Sequence, residues 1–133
     1  MSSRLTTITA ILWLGAATSV ALAHEGEHFS AGEPGNPKLQ SRIVTVTMRD
    51  DEGKMRFEPA SLTIKKGEQV RFIISNDGAL KHEFTLASVA NNDEHAEMMK
   101  KFPDMEHDDP NAKSVDPGKS AEILWRFTKA GDF

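Results

Sequence analysis

Histidine and methionine are the residue types of this chain that could bind a metal ion. The sequence contains five histidines and six methionines but no cysteine. Imidazole nitrogen suits copper, nickel and zinc, whereas a thioether suits copper(I). The lack of cysteine excludes a disulfide framework, a thiolate zinc site, an iron–sulfur cluster and a cysteine nucleophile in these residues. The candidate metal ligands are His24, His28, His82, Met105 and His107.

Charge and motif content argue against nucleic acid binding and against catalysis. The 133 residues fit a single domain with a formal net charge of −4, and no cluster of lysine and arginine provides a phosphate-binding face. The chain has no phosphate-binding glycine loop and no HExxH motif. His24 and His28 are four residues apart, but Gly26 between them argues against a helical zinc site. We therefore expect a binding protein rather than an enzyme.

The first 23 residues have the features of a secretory signal peptide. Arg4 precedes an apolar stretch over residues 8–20, and the segment ends in the small-residue exit Ala21-Leu22-Ala23. Threonine, serine and glycine interrupt the apolar stretch, which argues against a permanent membrane span. We expect cleavage after Ala23, export to the periplasm and no membrane association of the mature protein.

Residues 24–41 are predicted to form a flexible polar leader and linker. After cleavage, His24 would carry the free α-amine, and together with His28 it could chelate a divalent transition metal. A polar leader without a metal is the alternative interpretation. Residues 30–37 contain two prolines and two glycines and no periodic apolar pattern, which is typical of a linker. The folded domain is therefore predicted to span residues 42–133.

Alternation of apolar and polar residues predicts an all-β fold from Ile43 onward. Turns rich in glycine, proline and aspartate separate the predicted strands, as in a β-sandwich. On one of these strands His82 shares a face with Phe84 and Leu86. The first predicted strand begins at Ile43, and the other four span residues 61–65, 69–75, 82–86 and 120–127.

One segment follows the helical period instead. A capping box at Asn91 predicts the start of a short helix, which should end before Pro103. We expect its apolar face to pack on the sandwich; alternatively, its thioethers and imidazole lie near a soft metal. A long loop over residues 102–119 follows and carries Met105 and His107. The apolar face of the helix is formed by His95, Met98, Met99 and Phe102.

Five short motifs follow one another in the second part of the chain. They are Phe57-Glu58-Pro59, residues 64–70 (IKKGEQV), residues 76–84 (NDGALKHEF), residues 117–120 (PGKS) and residues 127–133 (FTKAGDF). Their order and spacing resemble the plastocyanin and azurin-like cupredoxins, and most closely the exported copper-tolerance members. The resemblance covers about residues 43–133 and implies a Greek-key β-sandwich.

The resemblance also implies a copper site built from two histidines, one cysteine and a weak axial methionine. His82 stands at the position of the first histidine. The other three ligands would follow residues 130–133, so we expect a chain that stops before the last strand and the ligand loop. A cysteine-free variant is the alternative. Glu83 stands where many relatives have an asparagine that braces the ligand loops.

The functional expectation is an exported, monomeric, copper-binding cupredoxin that acts in electron transfer or copper tolerance. Its partners would be a redox protein or other copper-handling proteins. The alternative is a thiolate-free periplasmic copper carrier or buffer. Such a carrier would bind copper(I) through Met105 and His107, and copper(II) through His24 and His28.

Overall fold

The computed structural model describes residues 29–105 and 109–133, which form two β-sheets and one α-helix. In chain order the elements are β1 (Glu33–Pro34), β2 (Arg42–Arg49), β3 (Arg56–Glu58), β4 (Gln69–Asn76), β5 (His82–Thr85), α1 (Val89–Lys101), β6 (Ala112–Val115) and β7 (Ser120–Arg126). A short 3-10 turn over Asp51–Gly53 connects β2 to β3.

The larger sheet has five strands in the order β1-β7-β4-β2-β3, and the smaller sheet pairs β5 with β6. Strands β2 and β4 run parallel with Met48 opposite Asn76, whereas the other neighbours in the larger sheet are antiparallel. The smaller sheet is antiparallel, with His82 opposite Val115. One core cluster joins residues of both sheets. The predicted all-β sandwich with a short helix is therefore confirmed.

Alternation along β4 explains the core between the sheets. Val70, Phe72 and Ile74 are buried, while the residues between them are half-buried. Trp125 of β7 is fully buried beside them. The ring of Phe72 contacts that of Phe84 in the smaller sheet, with centroids 5.7 Å apart. Because burial of each large apolar side chain contributes about 1.5–3 kcal/mol, these residues hold the two sheets together.

An apolar groove of about 510 Å³ opens beside this aromatic contact. His82 does not line the groove, which therefore lies apart from the candidate metal ligand. The aromatic side chains along it are Phe57, Phe72, Phe84, Phe127 and Phe133.

Residues 61–65 do not form the predicted strand, so that prediction is wrong. The edge strand is β3, which pairs with the end of β2. Proline has no N–H to donate to a sheet, and Pro59 follows β3 directly. In the segment after it, Leu62 is exposed, whereas Ile64 packs partly buried against the core.

The predicted loop over residues 102–119 contains a strand that the sequence analysis missed. Strand β6 has the sequence Ala-Lys-Ser-Val, which lacks a strong alternation and carries only one β-branched residue. It is a strand because β5 supplies its hydrogen-bonding partner. Burial of Ala112 and Val115 adds to that pairing.

The predicted flexible leader is also wrong for residues 29–36, which lie against the larger sheet. Strand β1 pairs with β7, and Ala31 is fully buried. The Phe29 ring meets Trp125 edge-on, with centroids 5.3 Å apart. Gly32 permits this close approach, because its φ is +140° and a Cβ there would lie 2.1 Å from the carbonyl oxygen of Arg126. The folded domain therefore includes residues before the predicted boundary at residue 42.

The predicted signal peptide over residues 1–23 lies outside the described residues, as do His24 and His28. Their assignments stay predictions. In the part of the chain that the structure describes, no helix has the length and apolar character needed to cross a membrane.

Helix α1 begins three residues before the predicted start, which took Asn91 as the N-cap. Its N-cap is Ser88, whose Oγ accepts a hydrogen bond from the N–H of Asn91 at 3.4 Å. The predicted packing of the apolar face is wrong for Met98 and Phe102, which are 40% and 57% exposed. Polar contacts rather than apolar burial hold this helix, because no residue of α1 is buried. Its half-buried residues are Asn92, His95 and Met99.

Candidate metal centre

His82 is the candidate ligand that the structure places in a defined environment. It begins β5, directly after the turn that leaves β4. Its side chain is 8% exposed, and it alternates with the half-buried Glu83 and the buried Phe84. A buried imidazole needs a hydrogen-bond partner, because an unpaired polar group in the interior is costly.

The partner of the His82 ring is the carboxylate of Asp50, which lies 32 residues earlier in the chain. The Nε2 atom of His82 is 3.1 Å from Oδ2 of Asp50. Because a carboxylate only accepts hydrogen bonds, Nε2 is the nitrogen that carries the proton in the neutral ring. The lone pair that can bind a metal is therefore on Nδ1. The sequence analysis did not include Asp50 among the candidate site residues.

The same carboxylate oxygen accepts two further hydrogen bonds from the turn. The N–H groups of Ala79 and Leu80 lie 2.8 and 3.0 Å from Oδ2 of Asp50. The N–H of Leu80 is the largest cause that lowers the pKa of the Asp50 carboxyl below its ordinary value of about 3.8. The His82 ring and the N–H of Ala79 lower this pKa further and together outweigh burial, which raises it. Asp50 is therefore a carboxylate at neutral pH.

Asn76 braces the turn from the other side. Its side chain is almost completely buried, and its Oδ1 accepts from the N–H of Gly78 at 2.9 Å. Its Nδ2 donates to the carbonyl oxygens of Leu80 at 2.7 Å and Val115 at 2.8 Å. One amide thus joins the end of β4, the turn before His82 and the end of β6. The backbone position of His82 is fixed by contacts to both sheets.

Glu83 does not brace the turn, since it takes part in a separate contact with helix α1. Its Oε1 lies 2.7 Å from Nε2 of His95 and accepts a hydrogen bond from the Thr85 hydroxyl at 2.8 Å. His95 and Thr85 line a polar cavity of about 190 Å³. The turn before His82 is held by Asn76 and Asp50 rather than by Glu83.

Of the remaining predicted ligands, Met105 lies among the described residues. Met105 is half-buried after α1, and its N–H donates to the carbonyl oxygen of Phe102 at 3.1 Å. His107 lies outside the described residues, like the two leader histidines. Within residues 29–105 and 109–133, no group of three or more His, Cys, Asp or Glu side chains could hold a metal ion.

Among the described residues, the candidate histidine ligand that can be compared with a copper site is His82. His82 offers an imidazole with a fixed orientation, which is a suitable ligand for either oxidation state of copper. The chain offers no thiolate, because it has no cysteine. The residues described here therefore provide one ligand of a copper site and do not complete that site.

Comparison with known proteins agrees with this fold. The sequence model of the family described as the cupredoxin-like domain matches residues 5–133, and the chain belongs to this family. It is similar to the copper-resistant cuproprotein CopI of Rubrivivax gelatinosus, with 44% identity over 119 residues that span 90% of this chain and 70% of the relative. The predicted resemblance to copper-tolerance cupredoxins is thereby confirmed.

Two further relatives carry the same name. The copper-resistant cuproprotein CopI of Pseudomonas aeruginosa is 34% identical over 145 residues, which cover 87% of this chain and 76% of the relative. That of Vibrio cholerae is 34% identical over 96 residues, which cover 72% of this chain and 56% of the relative.

Proposed function

We propose that this chain is an exported copper-binding protein of copper tolerance, and that His82 is one of its copper ligands. Membership of the cupredoxin-like family and the similarity to three proteins named copper-resistant cuproprotein support this proposal. Under this proposal the protein acts in electron transfer or copper tolerance rather than in catalysis.

The observation that carries the proposal is the fixed ring of His82. An imidazole held in one orientation by its surroundings loses little conformational entropy when it binds a metal, so affinity is gained through preorganisation. With Nε2 engaged by Asp50, copper would bind Nδ1 of His82. Bound copper supplies one-electron chemistry through its copper(II) and copper(I) states.

The finer parts of the proposal concern location and partners. The protein acts as a monomer in the periplasm after cleavage behind Ala23, without a membrane anchor. It exchanges electrons or copper with a redox protein or with other copper-handling proteins.

Copper affinity tests the proposal directly. Copper(I) and copper(II) are each titrated into the purified chain against a coloured chelator, in a background carrying His24→Ala and His28→Ala so that the leader contributes nothing. Loss of the hydrogen-bond partner of a metal ligand lowers metal affinity by about 10- to 100-fold. His82→Ala removes the ligand itself and should lower the copper affinity by more than this. His95→Ala removes the other described imidazole and should leave the affinity unchanged. Equal affinities of the His82→Ala variant and its parent would refute the proposal.

Copper tolerance has its own test in cells. Periplasmic expression of the full chain in a copper-sensitive strain should raise the copper concentration at which the strain grows. The His82→Ala variant, expressed at the same level, should give no such protection, whereas His95→Ala should protect fully.

The lack of cysteine favours a second candidate, a thiolate-free copper carrier or buffer. In this case Met105 and His107 would bind copper(I), which prefers soft ligands. The double variant Met105→Ala/His107→Ala should then lose copper(I) affinity while copper(II) affinity is kept. If the double variant binds copper(I) like its parent, the loop plays no part and the carrier hypothesis is wrong.

A further inference from the structure

We propose that Asp50 is the positioning residue of the copper site: its carboxylate holds the His82 ring so that Nδ1 is left for the metal, and its charge favours copper(II) over copper(I). This inference rests on the proposed function, because it takes His82 as a copper ligand. It adds Asp50, which directly follows strand β2 whereas the ligand His82 begins β5, and it has a separate test.

Parallel pairing of β2 and β4 explains why Asp50 reaches the ring. Met48 lies opposite Asn76, so the two chains leave the sheet side by side. Asp50 is two residues beyond Met48, and Gly78 is two residues beyond Asn76. Asp50 therefore lies beside the turn, where its Oδ2 accepts from two backbone N–H groups and from the His82 ring. One carboxylate oxygen holds the turn and the ring as a unit.

Gly78 shows how closely the carboxylate and the ring are packed. A Cβ at this position would lie 2.6 Å from Oδ2 of Asp50 and 2.9 Å from Nε2 of His82. The backbone of Gly78 is not in the left-handed region, so alanine there is opposed by this contact and not by its own φ. Gly78→Ala is therefore a second way to disturb the Asp50–His82 contact that leaves both side chains in the sequence.

The charge of Asp50 gives the second part of the inference. A carboxylate that accepts a hydrogen bond from the far nitrogen of an imidazole raises the basicity of the nitrogen that binds the metal. Copper(II) carries one more positive charge than copper(I), so the negative charge of the Asp50–His82 pair stabilises copper(II) more. A residue with a purely structural role would change both affinities by the same factor.

The positioning role is tested first without metal, by ¹⁵N NMR of the His82 ring at a pH at which imidazoles are neutral. The parent should show the Nε2–H form, with a proton that exchanges slowly with water. Asp50→Ala and Gly78→Ala should both increase this exchange and broaden or shift the Nε2 signal. If Asp50→Ala does not fold, Gly78→Ala decides this arm. A parent ring protonated on Nδ1, or a folded variant with an unchanged ring signal, would overturn the inference.

The charge is tested with Asp50→Asn, whose side-chain oxygen can still accept the three hydrogen bonds. In the background without the leader histidines, this variant should lose about tenfold more affinity for copper(II) than for copper(I). Asp77→Asn is the matched control, because Asp77 is a half-exposed carboxylate in the same turn that pairs with Arg49 rather than with His82. An unchanged ratio of the two affinities in Asp50→Asn, or the same change in Asp77→Asn, would overturn the inference.

The two proposals fail separately. If His82→Ala binds copper like the parent, the proposed function is wrong and the copper part of this inference falls with it, whatever the ring signal shows. If His82→Ala loses copper but Asp50→Ala keeps the parental ring signal, the proposed function holds and the role of Asp50 is refuted.

Discussion

Replacement of Asn76 by alanine should destabilise the fold by about 3 kcal/mol. The buried side chain makes three hydrogen bonds, at 2.7, 2.8 and 2.9 Å, and each contributes about 1 kcal/mol net. Alanine would leave the buried carbonyl of Val115 without this donor. A change of 3 kcal/mol corresponds to a rise of about 100-fold in the unfolding equilibrium constant.

Asn76→Asp provides a stricter test, because it keeps the size of the side chain and one acceptor oxygen. The Gly78 N–H would keep its partner, but an anionic oxygen would replace the amide that faces the carbonyls of Leu80 and Val115. A buried charge without a compensating partner costs about 3–5 kcal/mol. The aspartate variant should therefore be less stable than the alanine variant at neutral pH, although it is closer to asparagine in shape.

Urea unfolding followed by tryptophan fluorescence measures both changes. Trp125 is fully buried, and a Trp13→Phe background makes it the only tryptophan of the chain. Asn91→Ala removes an exposed asparagine side chain and should change the free energy of unfolding by less than about 1 kcal/mol. An aspartate variant as stable as the parent, or more stable than the alanine variant, would refute the assigned hydrogen bonds of Asn76.

Four further predictions concern the core, the carboxylate, the contact between β1 and β7, and the leader. Ile74→Val should lower the free energy of unfolding by about 1 kcal/mol because Ile74 is fully buried, whereas Ile43→Val at a 67% exposed position should cost under about 0.5 kcal/mol. The pKa of the Asp50 carboxyl is lowered by folding, so the ionised carboxylate contributes its full stabilisation at pH values above the ordinary carboxyl pKa of about 3.8. This stabilisation is lost as the pH falls through the lowered pKa of the folded state. The stability difference between the parent and Asp50→Asn in urea should therefore shrink below about pH 4, and a constant difference down to pH 2 would contradict this. Gly32→Ala should cost about 2 kcal/mol in the same assay, because its Cβ would force β1 away from β7, and a parental unfolding midpoint would contradict that contact. Mass spectrometry of the periplasmic protein should find His24 at its N-terminus, and an uncleaved chain would contradict the predicted signal peptide.

Strands with a strong apolar period could be predicted from the sequence. The alternation of Val70, Phe72 and Ile74 located β4, and that of Ile123 and Trp125 located β7, because each of these strands has one face on the core. The helix was also found, although its cap was placed three residues too late. In each of these elements the apolar periodicity extends along the whole element, so neighbouring residues are sufficient to predict it.

Strands β1 and β6 could not be predicted, because their pairing is decided by distant residues. Strand β1 is two residues long and ends in a proline, and it exists because β7 offers a free edge and the core accepts Ala31. Strand β6 depends on β5 in the same way. Tertiary contacts stabilise both strands, whereas their local sequences favour turns or loops.

In the candidate site, too, the residue with a local sequence signal was predicted and the residue that depends on a distant contact was not. His82 was found because the residues around it form a recognisable family motif. Asp50 was missed because the sequence Asp-Asp-Glu-Gly is typical of a turn and its partner is 32 residues away. The parallel register of β2 and β4 is the signal that connects them, and it becomes visible only when the sheet is known.

The orientation of the candidate ligand is therefore a property of the core rather than of a loop. Asp50 ties the His82 ring to the end of β2, and Asn76 ties the preceding turn to β4 and to β6. A rotation of the ring alone would break its hydrogen bond to Asp50. Because the same carboxylate oxygen also accepts from two backbone N–H groups of the turn, the ring keeps this hydrogen bond only if it moves together with the turn. Since β2 and β4 lie next to each other within the larger sheet, such a movement would disturb the core itself. Folding has already fixed the orientation of this imidazole, so a metal that binds it would not have to offset the conformational entropy lost by ordering the ring. This is the physical advantage of a ligand that is held by contacts to both sheets.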